Sequence, residues 1–371
     1  MAKKFFPVSQ PSITQKEISY VTRAIESGWV SSLGSFIDEF EESFARYCGV
    51  RFAATTCNGT TALHLAVEAL GIGSGHEVIV PDLTFVATAN AVAYTGAVPV
   101  LVDVDADSLC ISPEAVRRAI TPKTRAIIPV HLYGHPADMD EINAIAAEFD
   151  LLVIEDAAEA QGAEYKGKRV GGLSNCGVFS FYGNKINTSG EGGMITTNDP
   201  SFYQRARMLR DHAMSPTRRY WHAERGFNYR MTNMQAALGL AQLERIDDIL
   251  RHRNELMRWY RESVATSEDV RLNYVAESVN SVYWMICLEV DWLDNESRDQ
   301  LMAELKQRGV DSRPYFCTLS SMPMYQKLPC PIASRKAGIG LNLPTYYDLT
   351  RNDVGEIGAA VNEVLARLRP R

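Results

Sequence analysis

The stretch Leu151-Leu-Val-Ile-Glu155-Asp156 decides the fold class, because it is a short apolar run that ends in two carboxylates. Three similar runs precede it, and stretches with helical periodicity separate them: residues 77–81, 98–103 and 124–130. Short runs rich in β-branched residues that alternate with helices are typical of a parallel sheet covered by helices. The chain is therefore predicted to be an α/β protein with a mostly parallel central sheet.

The length of the chain indicates more than one domain. It has 371 residues, whereas a common domain has about 150 residues. We expect a large α/β domain over residues 1–250 and a smaller C-terminal α+β domain over residues 251–371. A helical region from residue 233 to about 264 would link the two, and residues 282–290 have the pattern of a strand. The net charge of −7 disfavours a protein that mainly holds nucleic acid or an anionic membrane.

The cysteines and the N-terminal residues indicate in which cellular compartment the protein is expected and whether a metal site is expected. Seven cysteines are scattered without a C-x-x-C pair, a pattern that fits a reducing cytoplasm and predicts no metal site. The N-terminal residues carry no long apolar run of the kind found in signal peptides. The most apolar stretch, residues 78–102, is interrupted by proline and polar residues, so no membrane span is expected. We therefore expect a cytoplasmic protein.

Three separate segments carry residues suited to ligand binding. Asn58-Gly59-Thr60-Thr61 is a glycine turn that leads into a helix, where free N–H groups suit a phosphate, although a simple helix cap has the same pattern. Asp156 follows a buried strand, at the edge where open α/β sheets bind ligands. Lys185 ends the apolar stretch that begins at Phe179 and precedes Ser189-Gly-Glu-Gly-Gly193. A desolvated lysine there would be a nucleophile toward an aldehyde, although most lysines are simply solvated.

One ligand would use all three segments. Pyridoxal 5′-phosphate has a phosphate for the helix at Gly59 and Thr60, a ring nitrogen for Asp156 and an aldehyde for Lys185. Its ring withdraws electrons best when the nitrogen is protonated, and a neighbouring carboxylate favours that protonation. Phe85, just after the strand that ends near residue 81, offers an aromatic ring to stack on the cofactor.

The chain resembles the DegT/DnrJ/EryC1/StrS family of nucleotide-sugar aminotransferases, within the fold type I superfamily of aspartate aminotransferase. The resemblance covers nearly the whole chain, and a set of motifs in this order is highly specific. The motifs are Gly28-Trp-Val-Ser-Ser32, Asn58-Gly-Thr-Thr-Ala-Leu-His64, Thr84-Phe-Val-Ala-Thr88, Pro129-Val-His-Leu-Tyr-Gly134, Glu155-Asp-Ala-Ala158, Ser180-Phe-Tyr-Gly-Asn-Lys185, Gly226-Phe-Asn-Tyr-Arg-Met231 and Asn342-Leu-Pro344.

The resemblance implies a role for each matched residue. Lys185 would bind the cofactor aldehyde covalently, and Asp156 would pair with the pyridine nitrogen. Asn228 would reach the phosphate of the neighbouring subunit's cofactor, so the resemblance implies a homodimer with shared active sites. The other cofactor contacts that it implies are Phe85 on the ring, Gly59, Thr60 and Ser180 on the phosphate, and Glu159 near the phenolic oxygen.

The resemblance also implies a substrate class. L-Glutamate would donate the amino group to a nucleotide-linked 4-keto-6-deoxy sugar, with GDP-4-keto-6-deoxy-D-mannose favoured by Arg218-Arg-Tyr-Trp221 and by residues 155–160. Arg219 and Arg230 are candidates for the substrate phosphates, and Ser31 and Ser32 for the sugar. Glu159 departs from the Gln or His of many relatives, and Cys317-Thr-Leu-Ser-Ser321 lacks the Pro-Met-His of some.

Three alternatives stay open from the sequence. The keto sugar could be linked to UDP or dTDP instead of GDP. A pyridoxal phosphate-dependent sugar dehydratase is disfavoured, because relatives that remove a hydroxyl carry histidine in place of Lys185. A regulatory protein without catalysis is disfavoured, because a simple binder needs no pairing of Asp156 with Lys185.

Overall fold

The computed structural model of the protein describes residues 4–215 and 217–370. Its helices are α1 (Gln15–Glu26), α2 (Ser35–Cys48), α3 (Gly59–Ala69), α4 (Ala87–Tyr94), α5 (Pro113–Ala119), α6 (Met139–Glu148), α7 (Pro200–Arg210), α8 (Asn233–Leu243), α9 (Ile246–Ser263), α10 (Asn295–Gln307), α11 (Pro331–Ile339) and α12 (Arg351–Leu368). Its strands are β1 (Phe52–Thr56), β2 (Glu77–Pro81), β3 (Val98–Val102), β4 (Thr124–Ile127), β5 (Leu152–Asp156), β6 (Glu164–Tyr165), β7 (Lys168–Arg169), β8 (Cys176–Ser180), β9 (Gly193–Thr197), β10 (Val270–Leu272), β11 (Val279–Asn280), β12 (Ile286–Val290), β13 (Arg313–Pro314) and β14 (Gly340–Leu343).

A seven-stranded sheet forms the centre of the molecule, in the order β1-β9-β8-β5-β4-β2-β3. The pairs β2–β3, β2–β4, β4–β5 and β5–β8 are parallel, and β9 runs antiparallel to both of its neighbours. The predicted mostly parallel sheet is therefore confirmed. Because β2, β5 and β8 are mutually parallel, their carboxyl ends open at one edge of the sheet, where such folds bind ligands.

A second, antiparallel sheet has the order β10-β12-β14-β13. It shares a separate apolar core with α10, α12 and the second half of α9. Helix α9 joins the two cores, since Ile249 packs in the core of the large sheet and Tyr260 in that of the small one. The division at residue 250 stays a prediction.

The helical region predicted from residue 233 to 264 consists of two helices, because α8 ends at Leu243 and α9 begins at Ile246. Side chains at this break bind the N-terminal segment of the chain. Gln242 donates hydrogen bonds to the Ser12 carbonyl oxygen and to the Glu17 carboxylate, both at 2.7 Å. Arg245 pairs with the same carboxylate at 2.9 Å, so the break holds α1 against α8.

The strand predicted over residues 282–290 begins only at Ile286. Residues 282–285 leave the small sheet and bond to the large domain instead. The Val282 N–H donates to the Gly134 carbonyl oxygen at 3.1 Å, and the Trp284 indole N–H donates to the Asn184 carbonyl oxygen at 2.9 Å. This prediction was wrong because these backbone and side-chain groups find partners outside the sheet, and the segment reaches the predicted ligand site.

A buried ion pair anchors the helices beside β1. Arg210 at the end of α7 donates to the Glu41 carboxylate of α2 at 2.7 Å and to the Thr55 carbonyl oxygen of β1 at 2.6 Å. The same carboxylate accepts the Thr55 N–H and hydroxyl. None of the helices in the described part of the chain is long and apolar enough to cross a membrane.

Candidate active site

A cavity of about 500 Å³ opens at the carboxyl ends of β2, β5 and β8. Loops and helices that follow the strands of the large sheet supply most of its wall, and the segments at 284–285 and 313–316 close it from the side of the small sheet. Seven residues predicted from the sequence line it together: Gly59, Thr60, Phe85, Asp156, Glu159, Ser180 and Lys185. The chain thus gathers residues more than a hundred positions apart into one cleft.

The N-terminus of α3 forms one end of the cleft. The Asn58 side chain caps this helix by accepting the Thr61 N–H at 2.8 Å. Among the residues that the structure describes, no acceptor takes the N–H groups of Gly59 and Thr60, so both are available to an anion. A Cβ at position 59 would lie 2.7 Å from the Ser180 Cβ. Glycine is therefore required for β8 to bring the Ser180 hydroxyl beside this helix end.

Asp156 is a buried carboxylate held by two hydrogen bonds. Its Oδ2 accepts the Thr88 hydroxyl at 2.8 Å, and its Oδ1 accepts the Ala158 N–H at 3.2 Å. Burial raises the pKa of Asp156, and these two bonds and the positive charge of Lys185 act against that rise. A cationic partner at this position would stabilise the ionised form of the carboxyl group.

Lys185 lies beyond the end of β8, in a turn where its N–H donates to the Tyr182 carbonyl oxygen. Its Nζ is 3.6 Å from Oε1 of Glu159. Burial lowers the pKa of Lys185, while the charges of Glu159 and Asp156 oppose this effect. Burial also raises the pKa of Glu159 to about 7, so burial brings the proton affinities of the amine and of the carboxyl group closer together.

Phe85, Phe316 and Trp284 line the cleft, and the buried ring of Tyr133, which is not part of the lining, connects Phe316 to Trp284. The centroid of the Phe85 ring lies 5.8 Å from that of Phe316, which is 5.4 Å from that of Tyr133. Tyr133 stacks on Trp284 with centroids 6.2 Å apart. The Tyr133 N–H donates to Oε2 of Glu159 at 2.9 Å, so the aromatic series is connected to the lysine–glutamate pair through Tyr133.

Sequence reasoning assigned no role to Thr88, Tyr133 or Trp284. The sequence did contain a signal for Thr88, because Thr84 and Thr88 are four positions apart beside Phe85. In the structure their hydroxyl groups lie 3.3 Å apart. Tyr133 lay inside a quoted motif but nothing in it indicated a contact with Glu159. Trp284 had no signal, because its segment had the pattern of a strand.

Five predicted site residues do not line this cleft. Asn228 and Arg219 are exposed on the surface, and Arg230 donates to Oδ1 of Asn228 at 3.1 Å. Ser31 is exposed, and its carbonyl oxygen accepts the Asn233 N–H at 2.6 Å. Ser32 is half-buried in the same loop. A single copy of the chain therefore brings together the predicted cofactor residues except Asn228, and none of the predicted substrate residues.

The cleft fits pyridoxal phosphate on chemical grounds. Gly59, Thr60 and Ser180 offer donors and close backbone approach for a phosphate. Asp156 is a buried carboxylate for a cationic nitrogen, and Lys185 is a desolvated amine for an aldehyde. Within the described ranges 4–215 and 217–370, no group of three or more His, Cys, Asp or Glu side chains could hold a metal.

Comparisons with known proteins agree with this chemistry. Residues 11–362 match the model of the DegT/DnrJ/EryC1/StrS aminotransferase family. The chain is 48% identical over 362 residues to the GDP-perosamine synthase of Caulobacter vibrioides, covering 96% of this chain and 98% of the relative. It is 43% identical to that of Escherichia coli O157:H7, covering 97% and 98%. The solved PLP form of Spr1654 from Streptococcus pneumoniae matches with a TM-score of 0.94 at 27% identity, covering 99% and 100%.

Replacing Thr88 by valine tests the support of Asp156. Valine keeps the shape but removes the hydroxyl donor, so the ionised carboxylate loses a hydrogen bond. Because a hydrogen bond to a charged group contributes about 1.5–3 kcal/mol, we expect the affinity of the apoprotein for pyridoxal phosphate to fall about 10- to 100-fold. Titration of the cofactor absorbance measures this affinity. Thr88→Ser, which keeps the donor, should bind nearly as the wild type does, and equal losses in both variants would contradict the role.

Replacing Glu159 by glutamine tests the proton acceptor beside Lys185. Burial favours the neutral carboxyl, so Glu159 is protonated below its pKa of about 7 and ionised above it. Only the ionised form can accept a proton from Lys185, so the wild-type rate should rise with pH through about 7. Glu159→Gln should be slower and lack this rise in a pH profile of kcat. Glu191→Gln, in the same cleft, should keep it; the same rise in Glu159→Gln would exclude Glu159.

Proposed function

We propose that the cleft transfers the amino group of L-glutamate to C4 of GDP-4-keto-6-deoxy-D-mannose. The proposal starts from the family of this chain, which belongs to the DegT/DnrJ/EryC1/StrS aminotransferases. The product would be GDP-perosamine. The chain is a sugar aminotransferase of the pyridoxal phosphate-dependent class. The observation that carries the proposal is the buried group of Asp156, Glu159 and Lys185 beside a helix end suited to an anion, in a chain that is 48% and 43% identical to two GDP-perosamine synthases.

The cofactor would be held by groups already placed in the cleft. Its phosphate would bind Gly59, Thr60 and Ser180, and Phe85 would cover its ring. When bound, pyridoxal phosphate supplies an electron-withdrawing ring that stabilises negative charge on the carbon bearing the transferred nitrogen. Asp156 would keep the ring nitrogen protonated through its buried carboxylate.

Lys185 would move the proton that amino transfer requires. Its amine is buried and within 3.6 Å of Glu159, which can take a proton from it and leave it as a base. The same amine would give the proton back at a later stage of the amino transfer. Burial lowers the pKa of Lys185 and raises that of Glu159, and both shifts favour this exchange.

The substrate would bind through cationic groups. Arg313 is the only arginine among the described residues that line the cleft, and it suits a carboxylate of glutamate or a diphosphate. Arg219 and Arg230, with Ser31 and Ser32, would contact the nucleotide sugar from the partner subunit. In this chain they lie on the surface or in half-buried positions outside the cleft.

A homodimer with shared sites would complete the cleft. Trp29, Leu33 and Tyr220 are each more than half exposed in the single chain, as is Phe85 in the mouth of the cleft. Large exposed apolar side chains of this kind mark interaction surfaces. Asn228 would then reach the phosphate in the partner's cleft, and a monomer would be incomplete.

A panel of sugars tests the function directly. The protein, pyridoxal phosphate and L-glutamate would be incubated with GDP-, UDP- and dTDP-linked 4-keto-6-deoxy sugars, and products measured by mass spectrometry. We expect amination of GDP-4-keto-6-deoxymannose and loss of turnover in Lys185→Ala. Amination of only a UDP or dTDP sugar would overturn the substrate, loss of a hydroxyl would indicate a dehydratase, and turnover without Lys185 would contradict the mechanism.

Mixing two inactive variants tests the shared sites. Lys185→Ala and Asn228→Ala would each lose activity as homodimers, whereas a mixed dimer has one site that contains both native residues. Because random pairing makes half of the dimers mixed, we expect about a quarter of the wild-type activity after co-refolding or co-expression. Size-exclusion chromatography with light scattering would verify the dimer. No recovery of activity in verified mixed dimers would show that Asn228 serves its own subunit's site.

A further inference from the structure

We propose that Trp284 is a positioning residue that holds the side-chain amine of Lys185 whenever this amine is not covalently bound to the cofactor. The inference rests on the proposed role of Lys185 but not on which sugar is aminated. No motif in the sequence pointed to Trp284, which belongs to the segment that leaves the small sheet.

The indole ring lies directly beneath the amine. Nζ of Lys185 is 3.8 Å from the centroid of the Trp284 ring and 3.6 Å from Oε1 of Glu159. Trp284 is only 4% exposed, so little water competes with this contact. An ammonium group over an indole face is attracted by the negative face of the ring, most strongly where water is excluded.

The ring is fixed in place relative to the lysine. Its Nε1–H donates to the carbonyl oxygen of Asn184, the residue immediately before Lys185, at 2.9 Å. Its plane is within 18° of the plane of Tyr133, whose N–H holds Glu159 at 2.9 Å. These five residues form a closed ring of contacts around the amine, so the indole and the carboxylate cannot shift independently.

The other charged groups of the cleft do not replace this contact. Asp156 attracts the amine, but its carboxylate already accepts bonds from Thr88 and Ala158. Glu191 and Arg313 also line the cleft. Among the described residues, Glu159 is the only carboxylate recorded within ion-pair distance of Nζ.

The contact explains how a buried lysine can be both charged and reactive. The indole and Glu159 hold the ammonium form in one place despite burial. Transfer of one proton from Nζ to Oε1 breaks an N–H bond and forms an O–H bond, and it leaves a neutral amine and a neutral acid. Because the neutral amine is less attracted to the ring, it is then free to move toward the reacting carbon.

Fluorinated tryptophans at position 284 test the π contact without changing the packing. Each added fluorine withdraws electron density from the ring face and weakens its attraction for a cation. The pKa of Lys185 in the apoprotein would be measured by competitive labelling with acetic anhydride across pH, read by mass spectrometry. We expect this pKa to fall stepwise with each fluorine, by about one in total. The same analogues at Trp292, a half-buried tryptophan near the small-domain core, should leave it unchanged.

Ordinary substitutions provide the second measurement. Trp284→Phe keeps an aromatic face and should label within about twofold of the wild type, whereas Trp284→Leu should label about tenfold faster at a fixed pH, since the amine is no longer held. In the holoenzyme, Trp284→Leu should lower kcat about tenfold with little change in the KM for glutamate. Trp292→Leu is the matched control for the loss of a tryptophan.

Either of two results would overturn the role of Trp284. One is a Lys185 pKa that does not change across the fluorinated series, and the other is equal labelling of Trp284→Leu and the wild type. If these occur while Lys185→Ala is inactive, only this inference fails. If Lys185→Ala retains amino transfer, the proposed function fails whatever the labelling shows.

Discussion

The burial of three ionisable groups at one edge of the sheet is the constraint on which the rest of the structure depends. Asp156, Glu159 and Lys185 are all largely removed from water, and a buried charge is costly unless a partner or a hydrogen bond compensates it. Each group has such compensation: Thr88 and Ala158 bond to Asp156, Tyr133 bonds to Glu159, and Lys185 lies between Glu159 and Trp284. These partners come from segments far apart in the chain, so the cleft forms only when the large sheet, the loop at 131–135 and the segment at 282–285 are all in place.

The loop that carries Tyr133 shows how closely the two parts of the molecule meet. Tyr133 has a positive φ of 52°, a conformation that is strained for a residue with a large side chain. A Cβ on the next residue, Gly134, would lie 2.9 Å from the backbone nitrogen of Trp284. Glycine thus permits the close approach of the two backbones, and the strain at Tyr133 aims its N–H at Glu159 and its ring at Trp284. The Tyr133 hydroxyl also accepts the Phe316 N–H, which joins the segment that follows β13 to the same point.

Local patterns predicted the parts of the site that depend on local structure. The apolar run before Asp156, the glycine turn at Gly59 and the position of Lys185 near the end of a strand all lie within single elements of secondary structure. Trp284 could not be predicted in this way, because 99 positions separate it from Lys185 and its own segment has a strand pattern. The same limit applies to Ser31, Arg219 and Asn228. They lie outside the cleft of the single chain, and the roles proposed for them would need a second copy, whose placement no local pattern contains.

The lysine–glutamate pair resolves a conflict between burial and reactivity. A glutamine beside Lys185 would remove the nearest counter-charge of a buried ammonium, whereas Glu159 supplies this charge and can also accept the proton. The total charge of the pair is the same whether the proton is on nitrogen or on oxygen, so the transfer brings no new net charge into the cleft. Asp156, with two hydrogen-bond donors and no close ammonium, is suited to remain ionised beside a cationic ring. The cleft therefore gives its two carboxyl groups different surroundings, since two hydrogen-bond donors hold Asp156, whereas Glu159 lies beside an amine with which it can exchange a proton.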